Sequence, residues 1–389
     1  MIWDVAISGA GLAGAALAIH LGRRGYSVAV FERDCFPREK PCGEGMMPAG
    51  VAALKELGLE TQTRGAEFRG IRYSFCGRVT EGCFPGSGAG ALGRGIRRRE
   101  LDAALANLAS QTRGVVLYAG VRVNGPLRER GRVTGLLAED QPVRARLVVA
   151  ADGAQSRLRP ALGLDCPARR KRIGMRMHFR HAVDAPARTH VEIILGRGHE
   201  LYVTPLARSE FLVAALAESE ALEGSVEEAF RRWWRAQPVL AERVCAAEPA
   251  SGLLVTSPLA GRAQRRVLPG LVLLGDAAGF TDPITGGGMT QALQTARLLA
   301  DHLSAVPDWN VAVLEAFDRE RESALADYRR VTSAVLWLAR HPRLIAPALD
   351  LMRSVPPLFS HLLGVTGGVR RFFRPGPQPE AHPAAPHAV

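Results

Sequence analysis

Residues 4–34, DVAISGAGLAGAALAIHLGRRGYSVAVFERD, leave this chain few folds to choose from. Val5-Ala6-Ile7 is a short buried-strand pattern. Gly9, Gly11 and Gly14 follow in G-x-G-x-x-G register, Ala15 to Arg23 has a helix pattern, and Gly25 stops it. Val28 to Phe31 reads as a second strand and ends in Glu32, 23 residues after Gly9. Each part suits a dinucleotide. Gly9 makes the tight turn, Gly11 lets the backbone approach a pyrophosphate, and Gly14 lets helix and strand pack closely. The helix N-terminus, with Leu12 and Ala13, offers free N–H groups to phosphate. Glu32 can accept hydrogen bonds from ribose hydroxyls. The same glycine spacing recurs at Gly88, Gly90 and Gly93, but no apolar strand precedes it and arginines follow it, so that stretch reads as a loop.

At 389 residues the chain is long enough for two substantial cores, and 47% of it is hydrophobic. The net charge of +12 favours anionic partners. Only three of the basic residues are lysine (Lys40, Lys55, Lys171); because no aromatic residues interleave with the arginines in a nucleic-acid-binding motif, nucleic acid is not expected as a partner. The six cysteines, at 35, 42, 76, 83, 166 and 245, have neither CxxC nor zinc spacing, so no metal is expected. They suit a reduced, cytoplasmic protein. Asp4 stands where a signal peptide carries positive charge.

The C-terminal half decides which dinucleotide. LVLLGD, residues 271–276, is a buried strand ending in Gly275-Asp276. Pro283, Gly286, Gly287 and Gly288 follow, and a helix starts near Met289. FAD needs such a second turn because its ribityl chain and flavin extend beyond the pyrophosphate. Asp276 can accept a ribityl hydroxyl, the glycines admit the ring, and the helix aims its positive end at the flavin edge. ADGAQSRLRPALG, with Asp152, Gly153, Ser156 and Arg159, reads as another strand-to-helix turn, and Arg98 precedes Leu101-Asp102 on a helix.

Together these motifs resemble the p-hydroxybenzoate hydroxylase-type FAD oxidoreductases, the superfamily of single-component flavin monooxygenases, flavin-dependent halogenases and geranylgeranyl reductases. The resemblance runs from residue 5 to about residue 300. It implies an α/β fold: a Rossmann-type FAD-binding domain (1–75, 95–164 and 268–330) interleaved with a β-sheet substrate domain (76–94 and 165–267), plus C-terminal helices at 331–374. It implies that Glu32 binds the adenosine ribose, with Arg33 and Val121 also at the cofactor, that Arg98 lies near the pyrophosphate, and that Asp276 contacts the ribityl chain. Asp152-Gly153 would serve FAD and NAD(P)H, the expected reductant. The stretch KPCGEGMMP, residues 40–48, falls where this superfamily has a loop crossing to the flavin. Cys42, Gly43 and Gly45 would then cover the ring, and Cys42 either packs or reacts.

Strands are expected in RIGMRMHFRHAV, THVEIILG and ELYVTPLARSEFLVAALAE, forming a sheet that roofs the flavin. Cys42, His178 and Tyr202 are the catalytic candidates, each with an ordinary packing role as the alternative. Halogenases carry a Trp-x-Trp-x-Ile-Pro motif and a lysine. Trp233-Trp234 lacks that spacing and Lys171 is the only later lysine, which disfavours halogenation. The favoured expectation is NAD(P)H-dependent hydroxylation of an apolar phenolic or polyketide-like molecule by O₂, through a flavin hydroperoxide. The alternatives are saturation of isoprenoid double bonds, as in geranylgeranyl reductases, and a non-catalytic FAD-containing binding protein. No obligate protein partner is expected. Residues 331–372 are apolar, but arginines and prolines break every run below the ~18 residues of a membrane span. Two or three short amphipathic helices are expected there, either covering the substrate channel or touching the inner face of the membrane. The tail 375–389 reads as disordered.

Overall fold

A computed structural model describes residues 1–86, 91–166, 172–183 and 188–372. Lys171, Gly88, Gly90 and the tail beyond residue 372 lie outside the described residues.

The first sheet carries the glycine turn. Strand Trp3–Ser8 lies between Val28–Glu32 and Gln141–Ala150, and Val115–Ala119 and Leu271–Leu273 extend the sheet on either side, all in parallel. Val28–Glu32 is buried along its whole length, as befits a parallel strand covered on both faces. One cover is the helix Leu12–Gly22, in which every residue except His20 is buried. It is apolar all round because it packs on the sheet and also on the helices Arg98–Gln111 and Gly288–Ser304.

The second sheet runs, in spatial order, Ala247–Pro249, Arg172–His181, Glu210–Glu218, His199–Pro205, His190–Leu195, Gly70–Phe75 and Arg78–Cys83. All three expected strand regions are present. One boundary differs from the sequence reading. Strand Gly70–Phe75, expected in the dinucleotide-binding part, pairs with Arg78–Cys83 and His190–Leu195, so the chain enters the second sheet at about residue 70, not 76. The cause is a tight hairpin at Cys76-Gly77, both residues with positive φ. Gly93 lies in a short strand, Gly93–Gly95, rather than in a loop.

The C-terminal helices also begin earlier than expected. One helix runs from Val311 to Ala339, straight through the boundary placed at residue 331, and Pro342–Ser354 and Pro356–Thr366 follow. Ile345, Leu349, Phe359 and Leu363 pack into the core with Phe68, Ile71 and Ile193 of the second sheet and its approach. Among the described residues no helix is long and apolar enough to cross a membrane.

Candidate active site

A cavity of about 330 Å³ lies between the two sheets. One end is lined by Gly11, Leu12, Ala13, Lys40 and Gly153, the middle by Cys42 to Gly45, Arg98 and Asp276, and the next wall by Pro283, Gly286, Gly288 and Met289. It then opens into an apolar chamber walled by Phe68, Ile71, Val191, Ile193, Leu259 and Leu363, with Tyr202 among them. Segments far apart in the chain thus meet along one cleft.

Other expected residues stand behind this lining. Gly9 has φ +98°, and a Cβ there would lie 2.5 Å from the Ala151 carbonyl oxygen. At Gly14 it would lie 1.9 Å from the Gly9 carbonyl oxygen. Both glycines therefore set the turn by close backbone approach. The buried Glu32 accepts hydrogen bonds from the Ala10 and Asp34 N–H groups at 3.0 and 3.2 Å, which ties the end of its strand to the glycine turn. Val121 N–H donates to the Glu32 carbonyl at 2.9 Å. Arg33 is exposed and pairs with Asp34. Gly287 donates to the Tyr328 hydroxyl at 3.0 Å. Asp152 accepts from the Arg157 and Leu158 N–H groups through Oδ2, whereas its buried Oδ1 has no hydrogen-bond partner.

The loop 40–45 is held from three sides. Thr204 Oγ1 donates to the Gly43 carbonyl at 2.8 Å, Ile96 N–H donates to the Glu44 carbonyl at 2.9 Å, and Arg98 N–H donates to Glu44 Oε1 at 3.0 Å. Glu44 Oε2 meets His178 Nε2 at 2.7 Å, and His178 Nδ1 lies 3.0 Å from Ser251 Oγ. Glu44 is 1% exposed, His178 is fully buried, and Glu44 has φ +58°, a strained value for a residue with a Cβ. His178 does not line the cavity; it acts on the loop through Glu44. Cys42 does line it, with its Sγ 3.4 Å from the Glu44 N–H and beside the buried Arg98 guanidinium. Burial opposes the charge on Arg98, but Asp102 and Cys42 more than offset this and raise its pKa. Tyr202 donates to the Ile284 carbonyl at 3.1 Å; burial, then Glu200, pushes its pKa well above the ordinary value.

Several groups in this site carry no local sequence signal. Lys40 Nζ lies 3.8 Å from where a Cβ would stand on Gly11 and equally far from one on Gly153, so its ammonium overhangs the phosphate turn. Burial and the neighbouring Arg98 lower its pKa, with Asp276 opposing. Arg172 bridges Asp282 Oδ2 at 2.6 Å and Glu200 Oε2 at 2.5 Å, joining the second sheet to the glycine-rich segment. Burial pushes the Glu200 carboxyl up to about 7, despite Arg172. A raised folded-state pKa contributes stability that is fully present below the unfolded value near 4.5 and lost as pH rises through 7. Melting temperature should therefore fall across that window, and Glu200→Gln should flatten the slope. An unchanged slope in the variant would assign the pH dependence to another group.

FAD fits these residues. The unpaired Asp152 Oδ1, the open space above Gly11, the cations Lys40 and Arg38, and the positive-φ turns at Gly275 and Gly286 are the donor, acceptor and clearance pattern a flavin dinucleotide needs.

A dinucleotide cleft that opens into an apolar chamber under a second sheet defines the class as FAD-dependent oxidoreductases. The chain belongs to the FAD binding domain family, which matches residues 3–330, and is similar to the p-hydroxybenzoate hydroxylase-type enzymes. It is 30% identical over 329 residues to the menaquinone reductase of Mycolicibacterium smegmatis, a match covering 79% of this chain and 78% of that one. It is 28% identical to squalene epoxidase 2, mitochondrial, of Arabidopsis thaliana, over 86% of this chain and 59% of the relative. The structure of the flavin-dependent brominase Bmp2 superposes with a TM-score of 0.82, covering 95% of this chain and 94% of the other. At 19% identity that likeness shows the fold alone. Trp233 and Trp234 are buried in a core cluster behind the second sheet and do not line the cavity.

Proposed function

We propose that this enzyme saturates a carbon–carbon double bond of an isoprenoid chain, with NAD(P)H as reductant. The observation that carries the reading is Cys42: the one thiol in the cavity wall, in a Pro-Cys-Gly stretch, where the cofactor cleft meets an apolar chamber. The relatives point to the same substrate class, since menaquinone carries an isoprenoid chain and squalene is one.

FAD supplies two-electron redox chemistry when bound. Gly11, Lys40 and Arg38 would hold its phosphates, Asp276 its ribityl chain, and Gly43 to Gly45 its ring. The aliphatic and aromatic walls strip water from the chain and orient one double bond. Net addition of H₂ to an alkene needs a hydride at one carbon and a proton at the other; Cys42 Sγ, in the cavity wall, would hold that proton. Glu44 and His178 keep the loop, and with it the thiol, in position.

This reading shifts the chemistry from the hydroxylation of a phenolic or polyketide-like molecule favoured on sequence. Oxygen insertion is retained as a second reading because a squalene epoxidase is among the relatives. A single measurement separates the two. Protein reduced by NAD(P)H is incubated with a polyprenyl substrate, with and without isotope-labelled O₂, and the product is weighed by mass spectrometry. We expect a product heavier by two hydrogens, formed without oxygen. A product carrying one labelled oxygen, formed only in air, would replace the reductase with a monooxygenase.

A further inference from the structure

We propose that the C-terminal helices dock this enzyme onto an anionic lipid bilayer. The inference rests on the isoprenoid reading for its purpose, which is to bring the chamber to a substrate dissolved in lipid. Docking itself is measured without substrate, so either idea can fail alone.

Six large apolar side chains between residues 337 and 369 face solvent: Trp337, Leu344, Leu351, Val355, Leu358 and Val369. On the helix Pro342–Ser354 they follow a rule. Ile345 and Leu349 point into the core, and the opposite face carries Leu344, Pro347 and Leu351, spaced by three and four residues so that they form one stripe. Val355 and Leu358 continue the exposed apolar run into the next helix. Trp337 is 55% exposed at the end of the preceding long helix, an amphipathic ring of the kind enriched at lipid–water boundaries.

Charge selects the occupant. Arg340, Arg343, Arg353, Arg370 and Arg371 accompany the apolar side chains, and the only acid between residues 331 and 372 is Asp350, itself paired with Arg78 and Arg353. Arg343, Arg370 and Arg371 make no ion pair among the described residues. A second copy docked face to face would set these cations against each other; an anionic headgroup layer complements them. The surface also sits at the chamber: Leu363 and Thr366 of the last helix line the cavity, as do Leu325 and Tyr328 of the long one. One set of helices therefore walls the substrate space on its inner face and offers apolar and cationic groups on its outer face.

The test is flotation of the FAD-loaded protein with phosphatidylcholine vesicles, with and without phosphatidylglycerol. Binding should require phosphatidylglycerol and weaken with salt. Vesicles of brominated lipid should quench tryptophan fluorescence, and Trp337→Phe should remove that quenching. Leu344→Glu with Leu351→Glu should lower partitioning by about tenfold or more, and Arg343→Gln with Arg371→Gln by a similar factor, since each surface cation contributes roughly fivefold near an anionic leaflet. All four positions are exposed, and FAD content and melting temperature check each fold. Absence of flotation, binding unchanged in both double variants, or a concentration-dependent dimer that the Leu344/Leu351 variant dissolves would overturn the proposal, the last in favour of a second copy on this face.

Discussion

Gly11→Val protein should purify folded and colourless. Gly11 has φ −71° and ψ −173°, extended backbone that any residue adopts. The nearest atoms to an added Cβ are the ends of two flexible side chains, Lys40 Nζ at 3.8 Å and Arg38 Nη2 at 3.9 Å. The fold has room for the substitution. The bound cofactor does not, because valine's branches project where the pyrophosphate must meet backbone N–H groups. Affinity for FAD should fall at least ~10²-fold, since two hydrogen bonds to a charged phosphate contribute about 1.5–3 kcal/mol each. Flavin absorbance of the purified protein and a fluorescence titration with FAD measure this. A yellow variant with normal affinity would move the phosphates away from this turn. Gly14→Ala serves as the contrast: its Cβ would stand 1.9 Å from the Gly9 carbonyl oxygen, so the damage there is to the fold and shows as a lowered melting temperature even without FAD.

That contrast also shows what a sequence discloses. Glycine spacing and strand periodicity are local, and they place the Rossmann turn, the second turn at Gly275-Asp276 and the three strand regions of the roof correctly. The polar frame of the site is not local. Glu44 and His178 are 134 residues apart, and Arg172 reaches Asp282 across 110. No pattern within one segment announces such pairs. Glu44 did have a faint signal, as the one carboxylate set between two glycines, and Lys40 was one of only three lysines. A histidine on a strand carries no mark of which way it faces, so from sequence His178 reads equally as a proton donor or as an ordinary strand residue. Its full burial behind the loop makes it a positioning residue. Apolar side chains become dense after residue 331, which suggests a separate segment there, yet the helix Val311–Ala339 is continuous. In the folded chain Val331 and Thr332 are buried, with Thr332 Oγ1 2.7 Å from Thr285 Oγ1, while Trp337 stays exposed.

Cys42→Ala should separate reduction of the cofactor from reduction of the substrate. The thiol lines the cavity and lies against Arg98, but nothing in the phosphate turn depends on it. FAD retention and the rate of flavin bleaching by NAD(P)H should stay within about twofold of wild type, the scale of a change that removes no transition-state contact. Alkene saturation should fall by ~10²–10⁴-fold, the usual worth of a positioned acid. A serine at this position keeps a proton but holds it far more tightly than a thiol, so Cys42→Ser should recover only part of the loss. Turnover in deuterium oxide adds a readout that packing cannot mimic: the rate should slow in wild type, where the exchanged thiol delivers the deuteron. The solvent isotope effect should change in Cys42→Ser, where a different acid delivers the proton. Wild-type rates of saturation in both variants would reduce Cys42 to a space-filling residue of the loop, and the proton would have to come from elsewhere in the chamber.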